Sequence, residues 1–184
     1  MYRLLFIALL SSISFAANSQ ITKGNWMLGG NISYTSTRYN RTNFGNPHTN
    51  YNLHLSPSIG YFFINKLAVG FKAGINKSGD KLNKVFSTDF NLGPYFRYYL
   101  LASEKQVNVL TETAYLYGYN LTTNSEKFFK NTFFFSVGPV IYLNNSVGLE
   151  FLVNYSTYKY SIVEGSNNTL RFSMGLQIQF EKKN

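Results

Sequence analysis

Cysteine is absent from the 184-residue chain, which excludes disulfides and the acylated cysteine of a lipoprotein. Carboxylates are few: eight Asp and Glu stand against seventeen Lys and Arg, for a formal charge of +9. Histidine occurs twice, and no grouping of His, Asp and Glu has metal-ligand spacing. Neither a glycine-rich phosphate loop nor a peptidoglycan-binding domain is present, so no cofactor is expected. Long apolar runs are lacking beyond the first residues, and mean hydropathy is −0.14. A helical membrane protein is thereby excluded. A membrane barrel is not, because its inward polar residues average out its outward apolar ones.

The first apolar run is itself too short for a helical span. Met1-Tyr2-Arg3 gives a positive start and residues 4–17 are apolar. That is too few for a bilayer core of roughly 30 Å. Residues 1–19 read as a secretory signal peptide, with cleavage open among Ala16, Ala17 and Ser19. Residues 20–184 then form one exported domain. Export to the envelope leaves nucleic acid an unfitting partner for the positive charge.

Aromatic rings and alternation are what the chain does have. Fifteen Tyr and seventeen Phe help bring aromatic content to 18%, as in the interfacial girdles of membrane barrels. Eight segments of about ten residues alternate apolar and polar with period two, the signature of strands. They fall near residues 25–35, 51–63, 67–75, 85–99, 107–119, 131–143, 147–155 and 170–180. Large aliphatics and aromatics occupy one phase; Gly, Ser, Asn and a few charges occupy the other. Nine strand glycines (Gly29, Gly60, Gly70, Gly74, Gly93, Gly118, Gly138, Gly148 and Gly175) lie in the polar phase and only Gly30 in the apolar one. Small residues concentrate where space is short. The apolar face should therefore look outward at hydrocarbon, and compact hydrophilic side chains should fill the middle. A soluble lipocalin-type barrel would reverse the faces, and its water-facing side would be richer in Lys, Glu and Thr than this one.

Connections alternate in length. Tight turns at 64–66, 100–105 and 144–146 join strands two to three, four to five and six to seven, while polar loops at 37–50, 76–84, 120–130 and 157–167 join the others. An even strand count with short turns on one side predicts an all-β, eight-stranded antiparallel up-and-down transmembrane β-barrel. Pro57, Pro94 and Pro139 fall inside strands, where each removes a ladder donor. Local bulges are the expected accommodation.

Six charged residues share the inward phase: Lys72, Asp89, Arg97, Glu112, Glu150 and Arg171. An eight-stranded barrel is just wide enough to be filled by side chains, so this balanced set is expected to pair as a polar plug, with Arg97 and Glu112 bridging neighbouring strands. A proton or ion path is the alternative use. The excess charge lies in the loops, where Arg38, Arg41, Lys77, Lys81, Lys84, Lys127, Lys130 and Lys159 face Asp80, Glu126 and Glu164, a net of +5. Cations there suit contact with anionic lipid, or are simply solvated. His54-Leu55-Ser56 places an imidazole and a hydroxyl on one strand face, in a faint resemblance to outer-membrane lipid A deacylases. The pair falls in the inward phase without an orienting carboxylate, so no catalysis is expected. His48 reads as a lone loop histidine.

Several phrases carry a family resemblance: Ile59-Gly60-Tyr61-Phe62 before Lys66-Leu67-Ala68-Val69-Gly70, and Leu92-Gly93-Pro94-Tyr95-Phe96-Arg97-Tyr98-Tyr99. Over roughly residues 26–180 the chain resembles small outer-membrane β-barrels of the OmpA/OmpX type. Its final Phe172, Met174, Leu176, Ile178 and Phe180 resemble the terminal signal read by the barrel-assembly machinery. The resemblance implies a monomeric, non-enzymatic protein of the bacterial outer membrane, with lipid as surround and an extracellular ligand or surface as partner. A structural or adhesive role through exterior loops is the expectation; the alternatives are a lipid-modifying enzyme and a narrow pore.

Overall fold

The computed structural model describes residues 21–39, 48–80, 85–122, 127–161 and 165–180. The predicted signal segment lies outside them, as do Arg41, Lys81 and Lys84. Eight strands, β1 (Trp26–Tyr39), β2 (His48–Ile64), β3 (Leu67–Asp80), β4 (Val85–Tyr99), β5 (Val107–Thr122), β6 (Phe128–Tyr142), β7 (Val147–Tyr160) and β8 (Asn167–Phe180), follow one another around a closed barrel. All neighbours are antiparallel, and β1 closes on β8. This is the predicted class.

The outward face is apolar as its alternation requires. Phe71, Phe90, Leu92, Phe96, Tyr115, Phe133 and Phe151 are all exposed. In water such a belt would be far larger than the patch of a few hundred Å² that soluble monomers tolerate. Around hydrocarbon it costs nothing.

Strands run further than predicted at the long-loop end. β1 continues to Tyr39, β3 to Asp80, β5 to Thr122 and β7 to Tyr160. The stretches 76–80, 120–122, 128–130 and 157–160 therefore belong to paired strands, not to loops. Ladder hydrogen bonds persist there after apolar alternation stops, because both faces have left the apolar band.

The middle also differs from the expectation of compact hydrophilic filling. Phe62, Tyr95, Tyr99, Leu110, Val140 and Tyr142 are wholly buried inside the barrel, with Met27 among them. Beneath them the chain before β1 folds across the short-turn end. Ile21 is wholly buried, its carbonyl accepts from Lys66 N–H at 2.9 Å, and Gly24 N–H donates to the Phe62 carbonyl at 2.9 Å. A hydrophobic floor thus closes the lumen, and no alternation signal could have reported it.

The strand prolines do not sit in bulges. Around Pro57 the β2–β3 ladder loses the steps between Leu55–Ile75 and Ser58–Lys72, and register is unchanged across the gap. The same gap recurs in β4–β5 between Leu92–Tyr117 and Tyr95–Ala114, and in β6–β7 between Val137–Val153 and Val140–Glu150. Each proline turns its missing donor toward the next strand and simply omits pairing there. The register shift found in the β2–β3 ladder is at Phe62 and Ile64, beside the two-residue turn in which Lys66 holds a left-handed φ of 68°.

Candidate functional site

Within the lumen the charged residues divide into two layers and one isolated cation. The lower layer is built on Arg97, an inward residue of β4 that is opposite Glu112 of β5 in register. Arg97 Nε donates to Glu112 Oε2 at 2.9 Å, and its Nη1 donates to Glu150 Oε1 of β7 at 2.5 Å and to Gln177 Oε1 of β8 at 3.1 Å. Lys72 of β3 pairs with the other oxygen of Glu112. Tyr99 donates to Gln177 Oε1 at 2.6 Å, and Gln177 Nε2 donates to Tyr142 Oη at 3.0 Å. Two cations and two carboxylates, all at most 1% exposed, thus run from β3 across to β7, and Gln177 extends the network to β8. The balance matters, because an unpaired charge in such a place costs several kcal/mol. Buried side chains fill the lumen at this level.

The upper layer lies toward the long-loop end. Asp89 of β4 accepts from Lys130 Nζ at 3.0 Å and from Asn120 Nδ2 at 2.6 Å. Lys130 Nζ also stands 4.2 Å from the centre of the Tyr158 ring. Lys130 is therefore a buried residue of β6, and its reading as a loop cation for anionic lipid is corrected. The inward phase, continued one residue past Asn131, would have found it. Lys77 and Lys159 are likewise in strands, β3 and β7, with exposed side chains, and Arg38 is exposed at the end of β1. Lys127 is exposed just before β6, with its Nζ 5.1 Å from the Tyr119 ring centre.

Around the upper layer is a cavity of about 630 Å³, lined among others by His54, Asp89, Asn91, Lys130, Thr132 and Arg171. Several lining atoms are buried without a hydrogen-bond partner among the described residues: both ring nitrogens of His54, Asn91 Oδ1 and Thr132 Oγ1. Arg171, the sixth predicted lumen charge, has no ion pair among the described residues. Ser56 does not engage His54; its hydroxyl donates to the Ala73 carbonyl at 3.2 Å. The imidazole and hydroxyl of the His-x-Ser phrase thus line one cavity without forming a nucleophile–base pair. His48 opens β2, where the alternation predicts a loop.

The terminal-strand residues Phe172, Met174, Leu176 and Phe180 are exposed on the outer face of β8, and Ile178 shares that phase.

Neither a protein-family model nor any curated protein matches the chain. Solved structures do. The crystal structure of neisserial surface protein A aligns over 86% of this chain and 98% of its own, with a TM-score of 0.60 and 13% identity. OmpT, an outer-membrane protein of Vibrio cholerae, aligns over 86% of this chain and 53% of that one, with a TM-score of 0.38 and 12% identity. The first likeness is one of fold alone, a closed antiparallel β-barrel.

Proposed function

We propose that the chain is an integral barrel of a bacterial outer membrane that conducts nothing and acts through its exterior, in a structural or adhesive role. The supporting observation is the filled lumen, occupied by the Arg97 network above and by Ile21 and its neighbours below. With no path through the middle, what remains for function is the outward face and the collar of strand ends on the long-loop side. That collar carries the exposed cations Arg38, Lys77, Lys127 and Lys159, placed to meet anionic headgroups or an acidic partner surface. Biogenesis in this reading uses the signal segment 1–19 and the outward apolar residues of β8.

Purified protein in planar bilayers should give no stable conductance step, and a reproducible step would overturn the filled-lumen reading. Cells lacking the protein should lose detergent resistance or surface attachment, and both should return with the wild-type chain. A change in lipid A acylation that disappears with His54→Ala would instead assign enzymatic work to the upper cavity.

A further inference from the structure

The barrel does not close evenly. β1 and β8 pair over seven steps only, from Trp26–Phe180 to Ile32–Met174. The same register would continue through Ser33–Ser173 to Tyr39–Asn167, and both strands do continue. β1 stays paired with β2 as far as Tyr39, and β8 stays paired with β7 from Asn167 onward. Among the described residues, then, the outer half of this seam has two facing edges with no ladder between them.

The opening starts within the apolar belt, where Met174 is 60% and Phe172 74% exposed. Unpaired backbone at that depth is costly unless it borders a cavity or something covers it. Here it borders the cavity. The lining of the upper lumen includes Tyr34 and Thr35 from one edge and Leu170 and Phe172 from the other. Outside, an apolar groove of about 550 Å³ crosses the seam, formed by Ile32, Tyr34, Phe151, Val153, Phe172 and Met174. Leu152 and Ser173 of the wall itself also line that groove. A second apolar groove of about 540 Å³ lies where the ladder ends, against Ile32, Leu55 and Leu176. Each volume falls within the range of sites for small molecules.

The polar side of the opening favours an anion. Arg171, on the free edge of β8, stands opposite Thr35 in the continued register and has no carboxylate among the described residues. The cavity's other cation, Lys130, already shares Asp89. His54 and Thr132, each more than nine-tenths buried, offer ring nitrogens and a hydroxyl with no partner among the described residues. One unpaired guanidinium with neutral donors behind it matches a single carboxylate.

We propose that the β1–β8 seam is a lateral portal for a single-chain amphiphile with a carboxylate head, a fatty acid of the surrounding membrane. The head passes between the strands to Arg171, and the chain stays outside in the apolar grooves. The proposal rests on the membrane reading above, so its test begins with flotation of the protein in phosphatidylcholine vesicles. Failure to float would sink that reading and leave the portal without a purpose.

In floated vesicles, a Tyr34→Trp reporter should be quenched saturably by chain-brominated palmitate. The native Trp26, exposed at the far end of the same seam, reports the non-saturable background of quencher dissolved in the bilayer. Arg171→Gln should raise the half-saturating concentration about tenfold or more, the loss of one charge-assisted contact, while brominated hexadecanol is indifferent to that change. Ser33→Cys with Ser173→Cys should close the seam as a disulfide, abolish quenching, and restore it on reduction. Quenching that ignores both Arg171→Gln and seam closure overturns the portal. Equal competition by a lysophospholipid overturns the carboxylate assignment. Disulfide-linked dimers of Ser33→Cys alone would give the open edges to a second copy of the chain and overturn it too.

Discussion

Arg97→Met should leave the barrel about 3–5 kcal/mol less stable, the cost of removing one partner from a buried ionic network. The guanidinium is the only cation touching Glu150 among the described residues, whereas Glu112 keeps Lys72. The variant therefore strands one wholly buried carboxylate, Glu150. Urea titration in detergent, read by heat-modifiable gel migration, should show the midpoint falling sharply. Arg97→Met combined with Glu150→Gln should recover most of the loss, since the charge left without a partner is gone and Lys72–Glu112 remains neutral overall. Exposed Lys127→Met should shift the midpoint by no more than about 0.5 kcal/mol. If the double variant is as weak as the single one, packing of the long Arg97 side chain against the Tyr95 ring, 5.9 Å from its guanidinium carbon, outweighs the charge pairing.

Which parts of this arrangement were legible depends on what each residue answers to. Strand phase was legible because hydrocarbon selects the outward set, so Leu92, Phe96 and Tyr98 declare their face without help from the rest of the chain. Strand ends were not, because past Ile75 and Tyr155 neither phase is selected for apolarity while the ladder goes on. The Arg97–Glu112 pair could be read from hairpin neighbours. Glu150 and Gln177, which complete the network, meet Arg97 only across the closed lumen, and no local pattern encodes that distance. Tyr95-Phe96-Arg97-Tyr98-Tyr99 hides its inward members, since aromatic rings occupy both phases there. The open seam had no sequence signal at all. β1 and β8 lie at opposite ends of the chain, and their continued register gives no hint that pairing stops at Ile32 and Met174.

The inward glycines signal crowding, and two of them allow that reason to be tested against the alternative of backbone freedom. Neither Gly118 nor Gly74 holds a left-handed φ, so alanine is conformationally acceptable at both. They differ in what a Cβ would meet. At Gly118 it would collide with the carbonyl oxygen of Phe90 and lie 2.6 Å from Asn91 Cα, all backbone of the adjacent β4. At Gly74 its nearest neighbour would be the Asn91 side-chain amide at 3.2 Å, followed by the Leu116 methyl at 3.7 Å. Side-chain ends can rotate; a paired strand cannot step back without breaking its ladder on the far side. Gly118→Ala should therefore cost about 3 kcal/mol or more, in the range of overpacked interiors, and its folded fraction should fall accordingly on unboiled gels. Gly74→Ala should stay within about 1 kcal/mol of wild type, and a small gain is possible because alanine narrows the unfolded ensemble. The contrast carries the argument. Equal losses at both sites would mean that the glycines answer to a flexibility requirement along the strands, and near-neutrality at both would mean that β4 and β5 can separate without penalty. A large gap between the two locates the constraint in the close approach of β4 and β5, beside the ladder steps that Pro94 leaves unpaired.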